Sequence, residues 1–158
     1  MGKEEIFPSW KLMQVGLVVR DMDKAIKRFS ALGFGPFSPK SLPPGTKVWV
    51  TEKPSDGVVD VRATMVEDME LELCQPVSGP SPHKDFLESK GEGIQHIMFA
   101  VDDLEKEIER LTGQGAKVLL GASFGNGGGL AYLDLDACGL IVELIQIPKN
   151  GMIEVDTR

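Results

Sequence analysis

The stretch IQHIMFAVDDLEKEIERLTGQG, residues 94–115, aligns with LMQVGLVVRDMDKAIKRFSALG, residues 12–33, without a gap and at a constant offset of 82. Each opens with an apolar run suited to a buried strand, over 12–19 and 94–101. Each then places an aspartate, Asp21 or Asp103, where a helix N-cap belongs. Met22, Ala25, Ile26, Phe29 and Leu32 recur at helical spacing in the first copy, and Leu104, Ile108 and Leu111 do so in the second. Lys24, Lys27 and Arg28 supply the solvated face, and Gly33 and Gly115 stop the helices as C-cap glycines do. A cap, an apolar face and a stop in register mark an internal repeat, the feature that sets an architecture before any other.

Working outward, each helix precedes three strand-like segments. They lie over 47–51, 58–66 and 69–75 in the first copy, with a tight turn at Glu67 and Asp68, and over 117–120, 130–134 and 140–147 in the second. The last strands also match, Glu72-Leu73-x-Gln75 against Glu143-Leu144-x-Gln146. The expected fold is therefore α+β, two βαβββ modules over residues 11–76 and 93–148. A Pro-, Gly- and Ser-rich linker over 77–92 carries a short helix around 84–90, and extensions fill 1–10 and 149–158.

Bulk properties narrow the function. Apolar residues make up 42% and charged residues 26% of the 158, a globular rather than a disordered composition. A net charge of −7 repels phosphate backbones, so no nucleic-acid partner is expected, and an anionic substrate would need local cations. Cys74 and Cys138 form no CxxC pair and read as a buried thiol and a turn thiol in a reducing cytoplasm. Residues 1–10 are polar and interrupted by Pro8, unlike a secretory leader, and no apolar run approaches the ~20 residues of a membrane helix. A cytoplasmic protein with a small-molecule substrate is the expectation.

The repeat also picks out a site. Gln14 and His96 occupy equivalent positions in the two first strands, and Glu72 and Glu143 in the two last. Each is polar among apolar neighbours. A buried carboxylate without a partner costs several kcal/mol or is neutralised, and a shared divalent cation would explain two of them together with an imidazole and an amide oxygen. The ordinary alternatives stay open on pattern alone: a structural glutamine, a satisfied core histidine, and a solvated face for Glu70 and Glu72 in MELEL.

These residues carry a resemblance. From about residue 12 to 148 the chain resembles the vicinal oxygen chelate superfamily, which includes glyoxalase I, methylmalonyl-CoA epimerase, extradiol dioxygenases and bleomycin-resistance proteins. FLESKGEGIQHIMFAVDDLEKEIERLTGQGAKVL (residues 86–119), MELELCQP and GLIVELIQIPKN look most like the epimerase. The resemblance implies a U-shaped mixed sheet around a metal-binding cleft. It places the ligands at Gln14, Glu72, His96 and Glu143, although the epimerase pattern has histidine at the first position. Cobalt, nickel, zinc or manganese would suit such a donor set. It also implies a homodimer.

In such a site a cation beside a carbonyl stabilises the enolate formed when the α-proton leaves. Epimerisation then needs acid/base groups on both faces of one carbon. Glu143 is the first candidate. Asp60, in GVVDV, stands where the epimerase strand carries a glutamate and is the second, against a solvent-facing reading. The loop 125–129 lies near the substrate carboxylate in the family and otherwise reads as a turn. An extradiol dioxygenase is disfavoured because its two-histidine site would need His83, which falls in the polar linker. A glyoxalase I-like lyase is the enzyme rival, but the arginine its bacterial members place soon after the first ligand is absent, Arg20 coming late. An acyl-CoA substrate would draw on Lys40, Lys47 or Arg62. A non-catalytic small-molecule binder is the remaining alternative.

Overall fold

In a computed structural model, residues 9–149 are described; the outer parts of both expected extensions lie outside them. The chain runs β1 (Lys11–Val18), α1 (Met22–Ala31), β2 (Ser38–Lys40), β3 (Lys47–Val50), β4 (Lys53–Pro54), β5 (Val58–Val66) and β6 (Met69–Ser78). It continues through α2 (Pro82–Lys90), β7 (Gly93–Ala100), α3 (Leu104–Thr112), β8 (Lys117–Ser123), β9 (Gly129–Asp134) and β10 (Ile141–Gln146). No helix among the described residues is long and apolar enough to cross a membrane.

The two copies fold alike down to their caps. Asp21 accepts from Lys24 N and Asp103 from Lys106 N. Both helices end in the same six-residue closure, Phe34 N to Phe29 O and Ala116 N to Leu111 O. The glycine at each closure, Gly33 or Gly115, has a φ near +100°, a conformation glycine adopts without a Cβ penalty. The repeated E-L-x-Q ending now has a physical reason. Strand residues three apart face opposite sides, so Glu72 and Glu143 turn inward while Gln75 and Gln146 turn outward. There their side-chain oxygens accept from Met22 N and Leu104 N, the first amides of α1 and α3.

All ten strands form one sheet, ordered β2-β5-β6-β1-β7-β10-β9-β8-β3-β4. β1 and β7 pair antiparallel at the centre, and each pairs in parallel with the last strand of its own copy. Here one expected strand is reassigned. Lys47–Val50 is a strand, but it pairs with β8 of the second copy, Val48 opposite Ala122. The edge position in the first copy is taken by the three-residue β2, paired with β5.

That exchange forces the sheet to curl. β2 and β3 are eight strands apart in the order, as are β5 and β4. Eight steps of a flat sheet would span ~38 Å. Yet residues 41–46 can reach at most about 25 Å and residues 55–57 about 14 Å. The sheet therefore rolls into a half-barrel, and residues 41–57 strap its open side. α1 and α3 pack outside, over clusters containing Leu73 and Leu144, and an inner cluster containing Met98, Leu130 and Tyr132 faces the cleft.

The strap is seated tightly where it returns to β5. A Cβ on Gly57 would lie 2.2 Å from the carbonyl oxygen of Pro80, whereas one on Gly121 in β8 would meet nothing within 4 Å. Gly57→Ala is expected to lower unfolding free energy by about 1–3 kcal/mol, and Gly121→Ala to leave it nearly unchanged. Urea denaturation of the two variants beside the parent measures the contrast.

Candidate functional site

Gln14, Glu72, His96 and Glu143 come from four adjacent strands, β6-β1-β7-β10, and all project into the cleft. They are among the most buried polar side chains of the described chain, Gln14 at 1% and His96 at 0% exposure. Gly16 makes room for the imidazole: a Cβ there would stand 2.0 Å from His96 Cε1.

His96 is surrounded by acceptors. Its Nδ1 is 2.9 Å from Gln95 Oε1, and its Nε2 is 3.0 Å from Gln14 Oε1, 3.2 Å from Glu143 Oε2 and 3.7 Å from Glu72 Oε1. Burial lowers its pKa, but the carboxylates of Glu143 and Glu72 outweigh that and hold it above the usual histidine range. Glu72 accepts from Gln14 Nε2 at 2.8 Å and from Cys74 Sγ at 3.1 Å. Burial is the largest influence on Glu72, and it leaves the carboxyl easier to protonate than an ordinary one. Burial likewise pushes the Cys74 thiol well up, so it stays a thiol. Although close to His96, Glu143 Oε2 receives no hydrogen bond among the described residues.

Sequence reasoning did not place three members of this cluster, although it named Lys40 as a cation that an acyl-CoA substrate could use. Lys40 of β2 pairs with Glu70 and reaches Glu72 at 3.3 Å. Burial opposes its charge, but the two carboxylates outweigh it and raise its pKa. Tyr132 of β9 packs edge-on against His96, ring centroids 4.9 Å apart. His83, assigned to the polar linker, is 5% exposed at the start of α2, between Tyr132 at 5.2 Å and His96 at 6.1 Å. The signal for its burial was present: Ser81 caps α2 by accepting from Lys84 N, and Pro82 occupies the first turn. Together these fix a helix start that turns residue 83 inward.

Asp60 is corrected. Its register partner on β6 is Gln75, whose side chain reaches the outer helix α1, whereas Val61 lies opposite Cys74 and Ala63 opposite Glu72. Asp60 therefore faces outward, where it binds Arg62 at 2.8 Å, and the cleft is lined by Val59 and Val61 instead. Arg62 leaves the cleft with it. The loop 125–129 is also absent from the lining; Gln146 Nε2 donates to Gly127 O and holds it as a turn.

Whether this donor set suits a metal can be judged from its chemistry. Among the described residues no group of three His, Cys, Asp or Glu side chains stands open as a ready metal site; the donors have closed on one another. Two carboxylates, an amide oxygen and an imidazole nevertheless meet around Nε2, one buried carboxylate oxygen lacks a donor, and Gln95 orients the imidazole from its other nitrogen, as an outer-shell partner does. Positive charge is supplied by Lys40. By type, two carboxylates, an amide oxygen and an imidazole are donors that a divalent cation accepts.

Comparisons place the chain among known proteins. Residues 13–132 match the family described as Glyoxalase/Bleomycin resistance protein/Dioxygenase superfamily. The chain is 30% identical over 95 residues to Uncharacterized protein YqjC of Bacillus subtilis (strain 168), covering 58% of this chain and 67% of that one. A hypothetical protein from Bacillus halodurans C-125 shares its fold at a TM-score of 0.65, 20% identity, covering 91% of this chain and 99% of that one. Methylmalonyl-CoA epimerase from Mycobacterium tuberculosis does so at 0.63, 22% identity, covering 91% and 93%.

Because the folded state favours a protonated Glu72, that group destabilises the metal-free fold above its raised pKa, and the penalty is relieved as pH falls through that value. Glu72→Gln, which mimics the protonated form, is expected to be more stable than the parent at pH 7.5 in chelator, with the advantage shrinking towards pH 5. Urea midpoints at the two pH values test this; an unchanged or lower midpoint at pH 7.5 refutes it.

Proposed function

The chain belongs to the glyoxalase/bleomycin resistance/dioxygenase superfamily, and from that premise we propose a metal-dependent isomerase or epimerase that moves a proton on the carbon next to a carbonyl or thioester. The observation that carries this reading is the convergence of Gln14, Glu72, His96 and Glu143 around one buried point at the polar end of the cleft. Gln14, Glu72, His96 and Glu143 would hold the divalent ion. Bound there, it would polarise the substrate carbonyl and stabilise the enolate charge.

The residues divide the remaining work. Glu143, whose Oε2 lies 3.2 Å from His96 Nε2 and accepts no hydrogen bond of good geometry among the described residues, would take the α-proton. Glu72 comes from the other copy of the repeat, on the far side of the β1–β7 pair. A carbon seated between the two carboxylates could exchange a proton with one of them on each face, the arrangement epimerisation requires. This replaces Asp60 as the second group.

The structures of methylmalonyl-CoA epimerase set the first substrate to try. A glyoxalase I-like proton transfer would use the same pair of glutamates. A binding role without catalysis is the second reading, favoured by the mutual hydrogen bonding of the donors.

In D2O, α-proton exchange is to be followed by mass spectrometry with methylmalonyl-CoA and with uncharged 2-methylacyl thioesters, on chelated and cobalt-loaded protein. Exchange is expected only with metal. Glu143→Gln should slow it by about 10²–10⁴-fold, His96→Ala should abolish it together with tight metal binding, and Asp60→Asn should leave it unchanged. Exchange that survives in Glu143→Gln removes that residue from the mechanism.

A further inference from the structure

The cleft encloses about 550 Å³, and its chemistry is divided by position. Glu70, Glu72, Glu143, Lys40, Tyr132 and His83 gather at one end. The remaining wall is mostly aliphatic or aromatic, with Val48, Val61, Leu120, Phe124, Leu130 and Ile145 representative. Lys40 is the one cationic side chain in the lining, and it is already paired with Glu70 and Glu72. With a chain charge of −7, no side chain lining this cavity is an unpaired cation for a nucleotide phosphate or a second carboxylate.

At the polar end His83 is unexplained by the proposed chemistry. Neither ring nitrogen has a hydrogen-bond partner among the described residues, although the side chain lines the cleft and is 5% exposed. A buried polar group left unsatisfied costs about 1–3 kcal/mol, and each such group in a folded protein calls for an explanation. An imidazole so placed can offer a ring N–H to an oxygen atom in the cleft.

We propose that the cleft takes an uncharged carbonyl compound with an extended apolar body, its oxygen-bearing head bonded by His83 beside the Gln14–Glu72–His96–Glu143 cluster and its body lying along the aliphatic wall. The proposal rests on reading this cleft as the substrate site and narrows the substrates it admits: a thioester is recognised through its acyl chain, and any coenzyme nucleotide is left unrecognised. His83 is a positioning residue and exchanges no proton with substrate.

Binding to the chelated protein, without turnover, separates this proposal from the catalytic one. Calorimetry is to be run with the N-acetylcysteamine thioesters of 2-methylbutanoate, 2-methylhexanoate and 2-methyloctanoate. Affinity should rise about fourfold for each added methylene buried. The coenzyme A thioester of 2-methylhexanoate should bind within about threefold of its N-acetylcysteamine counterpart. His83→Leu should weaken the whole series about tenfold with the chain-length slope unchanged, and His83→Gln, which keeps an amide donor, should recover part of the loss. Affinity flat in chain length overturns the proposal, as does a coenzyme A thioester binding more than tenfold tighter. Full affinity in His83→Leu overturns the role of His83; should that variant not fold, His83→Gln and the variant-free chain-length series still decide. Chain-length-dependent binding without any metal-dependent exchange would support this proposal while removing the isomerase reading.

Discussion

Two short connections govern this molecule. Residues 41–46 and 55–57 must carry the chain between strands eight places apart in one sheet, and no flat sheet allows it. Everything at the site follows from the curl they impose. Alternate residues of β6, β1, β7 and β10 are turned towards a common axis, so side chains from four strands meet at one point. The strap that enforces the curl also lays Leu42, Val48 and Val50 along the cleft. One constraint on connection length thus shapes the barrel, aims its polar residues and lines its cavity.

The cost of the arrangement is concentrated in its charges. Three glutamates, a lysine and a histidine share one largely buried space. Such a cluster is expensive to assemble from solvated groups, and the chain meets the cost with internal partners: Lys40 for Glu70 and Glu72, Gln14 for Glu72, Gln95 for His96. These contacts hold the donors in place but occupy them, the state expected of a site that must be kept organised before its ligand arrives.

Much of this was legible because the repeat supplies two readings of each position. Gln14 gains meaning from His96, and Glu72 from Glu143, where each alone would pass for an ordinary strand residue. The caps and glycine stops were equally visible, since they depend on local backbone chemistry. What escaped depends on partners distant in sequence. Nothing in Lys-Val-Trp-Val shows that it pairs with residues 120–123 rather than with its own copy, and Ser-Pro-Lys is too short to carry a strand pattern. Asp60 illustrates a subtler failure: its type and neighbourhood matched the resemblance, but its register opposite Gln75 places it outside. His83 failed in the other direction, because polar surroundings in sequence hid a helix start that buries it.

The crossing strap also bears on how the protein is made. Val48 and Ala122 are partners, so when the first copy has emerged from the ribosome its β3 strand still lacks the edge it needs. At ordinary synthesis rates the wait for residue 122 is roughly 4–15 s. During that interval an apolar Val-Trp-Val segment is unpaired, the kind of strand that recruits other chains. Lys47 before it, and Lys53 and Pro54 just after the turn, have the composition of residues that discourage such recruitment. The nascent first copy is thus an unfinished half-barrel, and only synthesis of the second supplies the edge that closes it.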